Sequence, residues 1–341
     1  MARVIKHAKK PGRFFSLYGA SNFLSICIQH SKPNKLTSMK MKNVFTMKSI
    51  SAAVAAGILV LASCSKSNDV LNSGDTQNVN SESVSDSYTN ETSDMTSSVV
   101  NNVTNSQYGG ARVAGEITGL AAKDPRLTGA TIILSGTGGS TPTGTITIDF
   151  KTGVTTNGVT RVGKIIINYS GMKGVAGSTR VITFNNYSRN NVLFDNGNTL
   201  TVTNVTDSSA TMKFHHVLSG SNSGSAKLTF PDNTTILRAA DYFITLDFTA
   251  LTLTLTANAN VLHSASGTTR AMKDYTMDIT APIMYKAACL ASKVYIPVSG
   301  KKLITAVRAY TIDYGNGDCD NTVTITVDGK SATITVNADG N

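Results

Sequence analysis

Residues Asn321–Val336 read NTVTITVDGKSATITV, and this stretch decides the fold class. Asp328-Gly329 supplies the two positive backbone angles that a two-residue hairpin turn requires. Centring the turn there places Val327 opposite Lys330, Ile325 opposite Ala332 and Val323 opposite Ile334. The other face then carries Thr324 with Thr333 and Thr326 with Ser331. One apolar face and one hydroxyl face emerge together, as a sheet covering a core on one side demands.

Upstream, short alternating runs rich in Thr, Val and Ile recur between Gly, Asn, Asp and Ser. They predict strands over Ala130–Ser135, Thr143–Phe150, Lys164–Tyr169, Arg180–Asn185, Thr199–Asn204, Thr211–Leu218, Asp274–Ile279 and Arg308–Tyr314. Between Tyr242 and Val261 the apolar parity slips: Ile244, Leu246 and Phe248 are even, whereas Leu251, Leu253 and Leu255 are odd. A continuous strand would swap faces there, so a bulge, a bend between sheets or a turn is expected near Ala250. Many short strands without crossover helices predict an all-β body over residues 109–341. The expected form is an antiparallel β-sandwich, or two small ones divided near residue 285.

Residues 64–108 are dominated by Ser, Asn, Thr, Asp and Val, with Tyr88 and Tyr108 as their aromatic residues. Such a composition buries little apolar surface, and the reading is a flexible spacer. Residues 1–63 are a leader. From Met41, MKNVFTMKSISAAVAAGILVLASC has a basic start, an apolar run from Ile50 to Ala62 and small residues at the break, the shape of a secretory signal. The run is shorter than the roughly 20 residues a membrane-spanning helix needs. Residues 1–38 precede a complete signal, so they are either upstream of the true start (Met39, Met41 or Met47) or part of a long leader.

Leu61-Ala62-Ser63-Cys64 resembles the bacterial lipobox, which implies cleavage before Cys64 and acylation of its thiol. Sulfur suits this role because a thiolate is nucleophilic enough to take the lipid. Each buried methylene contributes about 0.8 kcal/mol, so two or three chains hold a protein on a membrane firmly. The expected address is the cell envelope, at the outer membrane, facing either the periplasm or the exterior. The alternative is a plain signal peptide that ends near a cysteine.

The chain carries a formal net charge of +10. The leader holds Arg3, Lys6, Lys9, Lys10, Arg13, Lys32, Lys35, Lys40, Lys42 and Lys48 and no acidic residue. The remainder is therefore balanced, which removes any electrostatic footprint for nucleic acid. Once Cys27 and Cys64 are assigned to the leader and its cleavage point, Cys289 and Cys319 are the thiols of the body. In an oxidising compartment they are expected to pair, contributing about 3–4 kcal/mol on a chain-entropy view. Two buried free thiols are the alternative.

Two segments look related: Thr145–Tyr169, TITIDFKTGVTTNGVTRVGKIIINY, and Tyr310–Thr335, YTIDYGNGDCDNTVTITVDGKSATIT. Each has a strand ending in Ile-Asp-aromatic, a Gly-bearing turn and a returning strand. With the lipobox, the pair resembles an uncharacterised group of Bacteroidetes-type lipoproteins with an IDFG-type hairpin and a late IDYGxGxCDN hairpin. The resemblance covers Thr143–Gly171 and Tyr275–Val336. Lys151 stands where the early hairpin would carry glycine, and Val154 where a cysteine or small residue would be expected. The resemblance implies location and fold and leaves function open.

Asp313, Asp318 and Asp320, with Asn316 and Asn321, crowd one turn and are the candidates for a hard cation such as Ca²⁺. The spacing departs from an EF-hand loop, and the same residues serve ordinary turns. His215 and His216 are adjacent on a strand, so they point to opposite faces and cannot act as a pair. His263 is isolated, and no Cys/His set has zinc spacing. No nucleophile elbow marks a hydrolase, and Gly136-Thr137-Gly138-Gly139 lacks the lysine and helix of a phosphate loop. Thr252, Thr254 and Thr256 offer a hydroxyl face that suits a polymer or plain solvent. The expectation is a non-enzymatic envelope lipoprotein with no cofactor beyond its covalent lipid. The alternatives are a surface module for a glycan or protein partner and, more distantly, a hydrolase.

Overall fold

The computed structural model describes residues 71–104, 114–137, 141–207, 210–292, 294 and 296–336. One α-helix, α1 (Ser73–Thr104, 32 residues), precedes the strands. The first are β1 (Ala114–Glu116), β2 (Thr131–Thr137), β3 (Thr143–Asp149), β4 (Val154–Thr156), β5 (Val159–Ser170) and β6 (Thr179–Arg189). There follow β7 (Val192–Phe194), β8 (Thr199–Asn204), β9 (Thr211–Ser219), β10 (Ala226–Thr229), β11 (Thr235–Asp247) and β12 (Thr252–Ala257). The last are β13 (Ala265–Thr268), β14 (Asp274–Lys286), β15 (Ser299–Thr305), β16 (Ala309–Asn316), β17 (Thr322–Val327) and β18 (Lys330–Thr335).

Among the described residues, all 18 strands join one sheet and every pairing is antiparallel. The expected antiparallel β body is therefore present, as one continuous ladder whose inner layer is a helix. The ladder runs from β1 through β2, β3, β5, β6, β8 and β9 to β11, then through β12 and β13 to β14 and on through β15, β16 and β17 to β18. No division falls near residue 285, because β14 extends through it and pairs with both β12 and β15. The C-terminal hairpin has the register expected, from Val323↔Ile334 to Val327↔Lys330, and Asp328 and Gly329 have φ of 50° and 75°. The parity slip at Ala250 is a turn with Leu251 at φ 52°, returning Leu253 opposite Leu246 and Leu255 opposite Ile244.

The flexible spacer expected over 64–108 is overturned for residues 73–104, which form α1. Its start is a reciprocal cap: the Asp75 amide donates to Asn72 Oδ1 (2.8 Å) and the Asn72 amide to Asp75 Oδ2 (3.1 Å). Ser, Thr and Asn are weak helix formers in isolation, so the helix depends on what surrounds it. No residue from Gln77 to Thr104 is exposed, and the six consecutive residues Met95–Val100 are all buried. At 3.6 residues per turn, six in a row cover the whole circumference. The sheet therefore curls round α1 and covers it on every side.

Burial of so polar a helix is possible because its side chains find partners. Thr96 Oγ1 donates to the Thr92 carbonyl (2.7 Å), Asn102 Nδ2 to Ser98 (2.8 Å) and Thr104 Oγ1 to Val100 (2.9 Å). Between them, Val79, Val84, Tyr88, Met95, Val99, Val100 and Val103 join the same core as Ile146, Ile165, Ile182 and Ile325. Tyr88 stacks on Phe194, with centroids 6.0 Å apart, and Phe194 packs on Phe184 at 4.9 Å.

Candidate functional site

Along α1 the carboxylates Asp75, Glu82, Asp86, Glu91 and Asp94 each meet a basic side chain from the surrounding chain. Arg308, between β15 and β16, bonds Asp75 (3.0 Å). Arg238 of β11 bonds Glu82 and Asp86, the latter at 2.8 Å. Lys302 of β15 bonds Asp86 and lies 3.5 Å from Glu82. Arg161 of β5 and Arg189 of β6 share Glu91, and Arg126 bridges Asp94 (2.8 Å) and Asp124 (2.7 Å).

The pairs around Glu82, Asp86 and Glu91 are buried. Burial alone would raise the Asp86 carboxyl, but Lys302 and Arg238 outweigh it and hold the group below the usual carboxylate range. Burial likewise opposes Glu91, and Arg161, Arg189 and Arg126 overcome it in the same direction. Burial would lower Lys302 and Arg238, but the facing carboxylates push both well above their ordinary values. The interior therefore holds a line of charged, mutually neutralising groups.

Arg180 of β6 differs. It is 5% exposed, and among the described residues no carboxylate lies within ion-pair distance of it. One guanidinium nitrogen, Nη1, donates to Ser97 Oγ of α1, and Nε is buried without a partner. Its guanidinium carbon lies 5.8 Å from the centroid of Phe214. Beside it opens a small recess, lined by Val100, Lys173, Ser178, Arg180, Asn204 and Phe214 among others. Burial and the Arg180 charge lower the Lys173 amine to about 8. Burial takes Arg180 to about 10, and Asp94 acts on both groups from a distance in the opposite sense.

The residues singled out from sequence fall elsewhere. Leu61, Ala62, Ser63 and Cys64 lie outside the described residues, as do Gly138 and Gly139. Cys289 and Cys319 form the expected disulfide, with Cα atoms 5.0 Å apart. It ties the short 3₁₀ helix Ala287–Ser292 to the turn between β16 and β17.

Asp313 is engaged by Lys301 Nζ (2.9 Å) and the Gly315 amide (3.0 Å). Asp320 accepts from the amide and hydroxyl of Thr322 (2.9 and 2.8 Å), and the Asp318 amide donates to Asn316 Oδ1 (3.3 Å). The Asp313 and Asp320 carboxylates thus serve local turns and an ion pair, and Asp318 joins its turn through its amide. Among the described residues no group of three or more His, Cys, Asp or Glu side chains is placed to hold a metal ion.

The two histidines point apart as their adjacency on a strand requires. His215 Nε2 lies 2.7 Å from Asp241 Oδ1. His216 is buried, stacks on Tyr242 at 5.7 Å and is lowered to about 3 by burial, with Arg180 and His215 adding to the effect. It is neutral at physiological pH. His263 pairs with Asp278 (3.1 Å). Thr252, Thr254 and Thr256 are half-buried beside β11 and β14.

Sequence reasoning missed both the ionic line and the recess. A signal was present: Arg180, Arg238 and Lys302 stand in the inward, apolar rows of their strands, beside Ile182, Ile236 and Ile304. A cation in such a row requires an interior partner. Searches for a matching protein-family model, curated protein or solved structure found none.

Proposed function

We propose that the protein is a lipid-anchored, non-enzymatic component of the cell envelope, with a structural or binding role carried by a rigid β body. The observation that carries this reading is Leu61-Ala62-Ser63-Cys64 at the end of a short apolar run with a basic start. The balanced charge downstream of it and the Cys289–Cys319 bridge accord with an exported, oxidised protein. None of the described helices is long and apolar enough to cross a membrane, and a lipid on Cys64 makes such a span unnecessary.

The position of α1 changes what the anchor does. The helix begins at Ser73, so the chain from Cys64 to Asn72 reaches at most ~30 Å even when fully extended. Tension on the lipid then enters the body through its innermost element, which carboxylate–cation pairs fasten to β5, β6, β11 and β15. A body loaded from its centre suits a tethered scaffold better than a module on a long, slack spacer.

Cys64→Ala is expected to abolish incorporation of labelled palmitate and to leave the precursor uncleaved by the lipoprotein peptidase. The mature wild-type polypeptide is expected to start at Cys64 and carry acyl mass. Unchanged membrane retention and processing of the variant would refute the anchor.

A further inference from the structure

We propose that the recess between β6, β8 and the C-terminal half of α1 is a binding site for a single tetrahedral dianion of the phosphate type. The ligand would be either free or the terminal group of a larger molecule, with Arg180 and Lys173 as its cationic partners. Among the described residues, six cations meet α1 through a carboxylate: Arg126, Arg161, Arg189, Arg238, Lys302 and Arg308. Arg180 is buried more deeply than Arg126, Arg189 and Arg308 but has a serine hydroxyl in that place. A buried guanidinium with an unpaired Nε is costly unless something charged completes it.

The second cation sharpens the assignment. Lys173 lines the same recess, where burial and the Arg180 charge lower its affinity for a proton. A dianion between them would neutralise both, whereas a monoanion would leave one charge over.

The helix C-terminus does not already perform this task. Ser97 lies two turns before the end of α1 at Thr104, beyond the last turn within which the helix dipole acts. The Val100 carbonyl, at the recess, already accepts from Thr104 Oγ1. Asp94, the nearest acidic contribution, is held by Arg126 at 2.8 Å, and His216 behind Arg180 is neutral. The asparagine in the wall is committed as well, since Asn204 Nδ2 donates to the Lys173 carbonyl (2.6 Å) and Oδ1 accepts from the Thr206 amide (2.9 Å). Its engagement fixes the backbone from which Lys173 projects and leaves the two cations as the ligand groups.

The test is a titration of the full chain with inorganic phosphate at constant ionic strength, read by ³¹P line broadening and by the thermal midpoint. Chloride and acetate serve as controls, and glycerol phosphate as the ester arm. Wild-type protein is expected to show saturable phosphate binding that acetate does not match. Lys173→Gln should weaken it at least tenfold. Without ligand this variant should be at least as stable as the wild type, because a repulsion has been removed; a lysine with a purely structural role would lower the midpoint instead. Arg180→Lys keeps the charge while losing the planar fork, and is expected to retain weaker binding.

Tight inorganic phosphate binding identifies the free anion as sufficient, whereas binding of glycerol phosphate alone identifies an esterified terminal group. Phosphate binding no better than chloride or acetate, together with no binding of glycerol phosphate, would overturn the proposal. So would undiminished affinity in Lys173→Gln.

Discussion

Replacing Asp86 with alanine is expected to lower the free energy of unfolding by about 3–5 kcal/mol, the usual cost of leaving a buried charge without its partner. Asp86 Oδ2 bonds Lys302 and Oδ1 bonds Arg238 at 2.8 Å. Without it, Glu82 alone must serve both cations, each no more than 2% exposed. The loss measures the stranded charges rather than the worth of the pairs, since buried ion pairs contribute little net stability against well-packed apolar substitutes. The double variant Asp86→Ala, Lys302→Met is accordingly expected to recover part of the loss.

The sign with pH follows from the lowered Asp86 carboxyl. Its stabilising effect is complete above the unfolded value of 3.8 and fades as pH falls below that. The difference between wild type and Asp86→Ala should therefore be constant from pH 5 to 7 and shrink in stronger acid. Urea unfolding at several pH values checks both statements. A loss below about 1 kcal/mol at neutral pH would show that the interior does not hold these charges as described.

A larger effect is expected from deleting residues 73–104. Had they been a spacer, the deletion would leave the β body intact. With α1 at its centre, the deletion exposes the inner faces of β3, β5, β6, β11 and β15 and strands Arg161, Arg189, Arg238 and Lys302 together. Whole domains are stable by only about 5–15 kcal/mol, and several unpaired buried charges exceed that. The shortened chain is expected to show no cooperative unfolding transition and to expose apolar surface that binds a hydrophobic dye. A sharp transition resembling that of the full chain would contradict this.

The strands were legible because alternation and turn chemistry are local. Asp328-Gly329 sets the last hairpin by itself, and a change of parity near Ala250 is enough to require a turn. The helix was not legible from composition. A helix with one solvent face shows an apolar stripe against a polar remainder, whereas α1 is covered all round and answers its surroundings with carboxylates and hydroxyls. Residues such as Glu82 and Ser97 looked like solvated spacer because their partners, Arg238 and Arg180, lie far along the chain. Two local signals did exist. Asn72-x-x-Asp75 is a capping pattern, and Val84, Tyr88, Met95, Val99 and Val103 recur at helical intervals of four and seven.

One glycine shows how local and distant demands meet. Gly163, in the TRVGKI run, has φ 78°, and a Cβ there would lie 2.1 Å from the Asn186 carbonyl oxygen. It sits at the register shift between Val162 and Lys164. The extra residue is on β6, where the bulge lets Phe184 and Tyr187 both face inward although their parity differs. The sequence presents the glycine plainly, but the reason for it lies in the neighbouring strand, whose backbone bulges against it.

The most direct test of a buried central helix is native-state amide hydrogen exchange on the full chain. Amides from Val79 to Val103 are expected to exchange as slowly as those of β5 and β6, through global unfolding. Exchange of that segment at free-peptide rates while the strands stay protected would contradict the account.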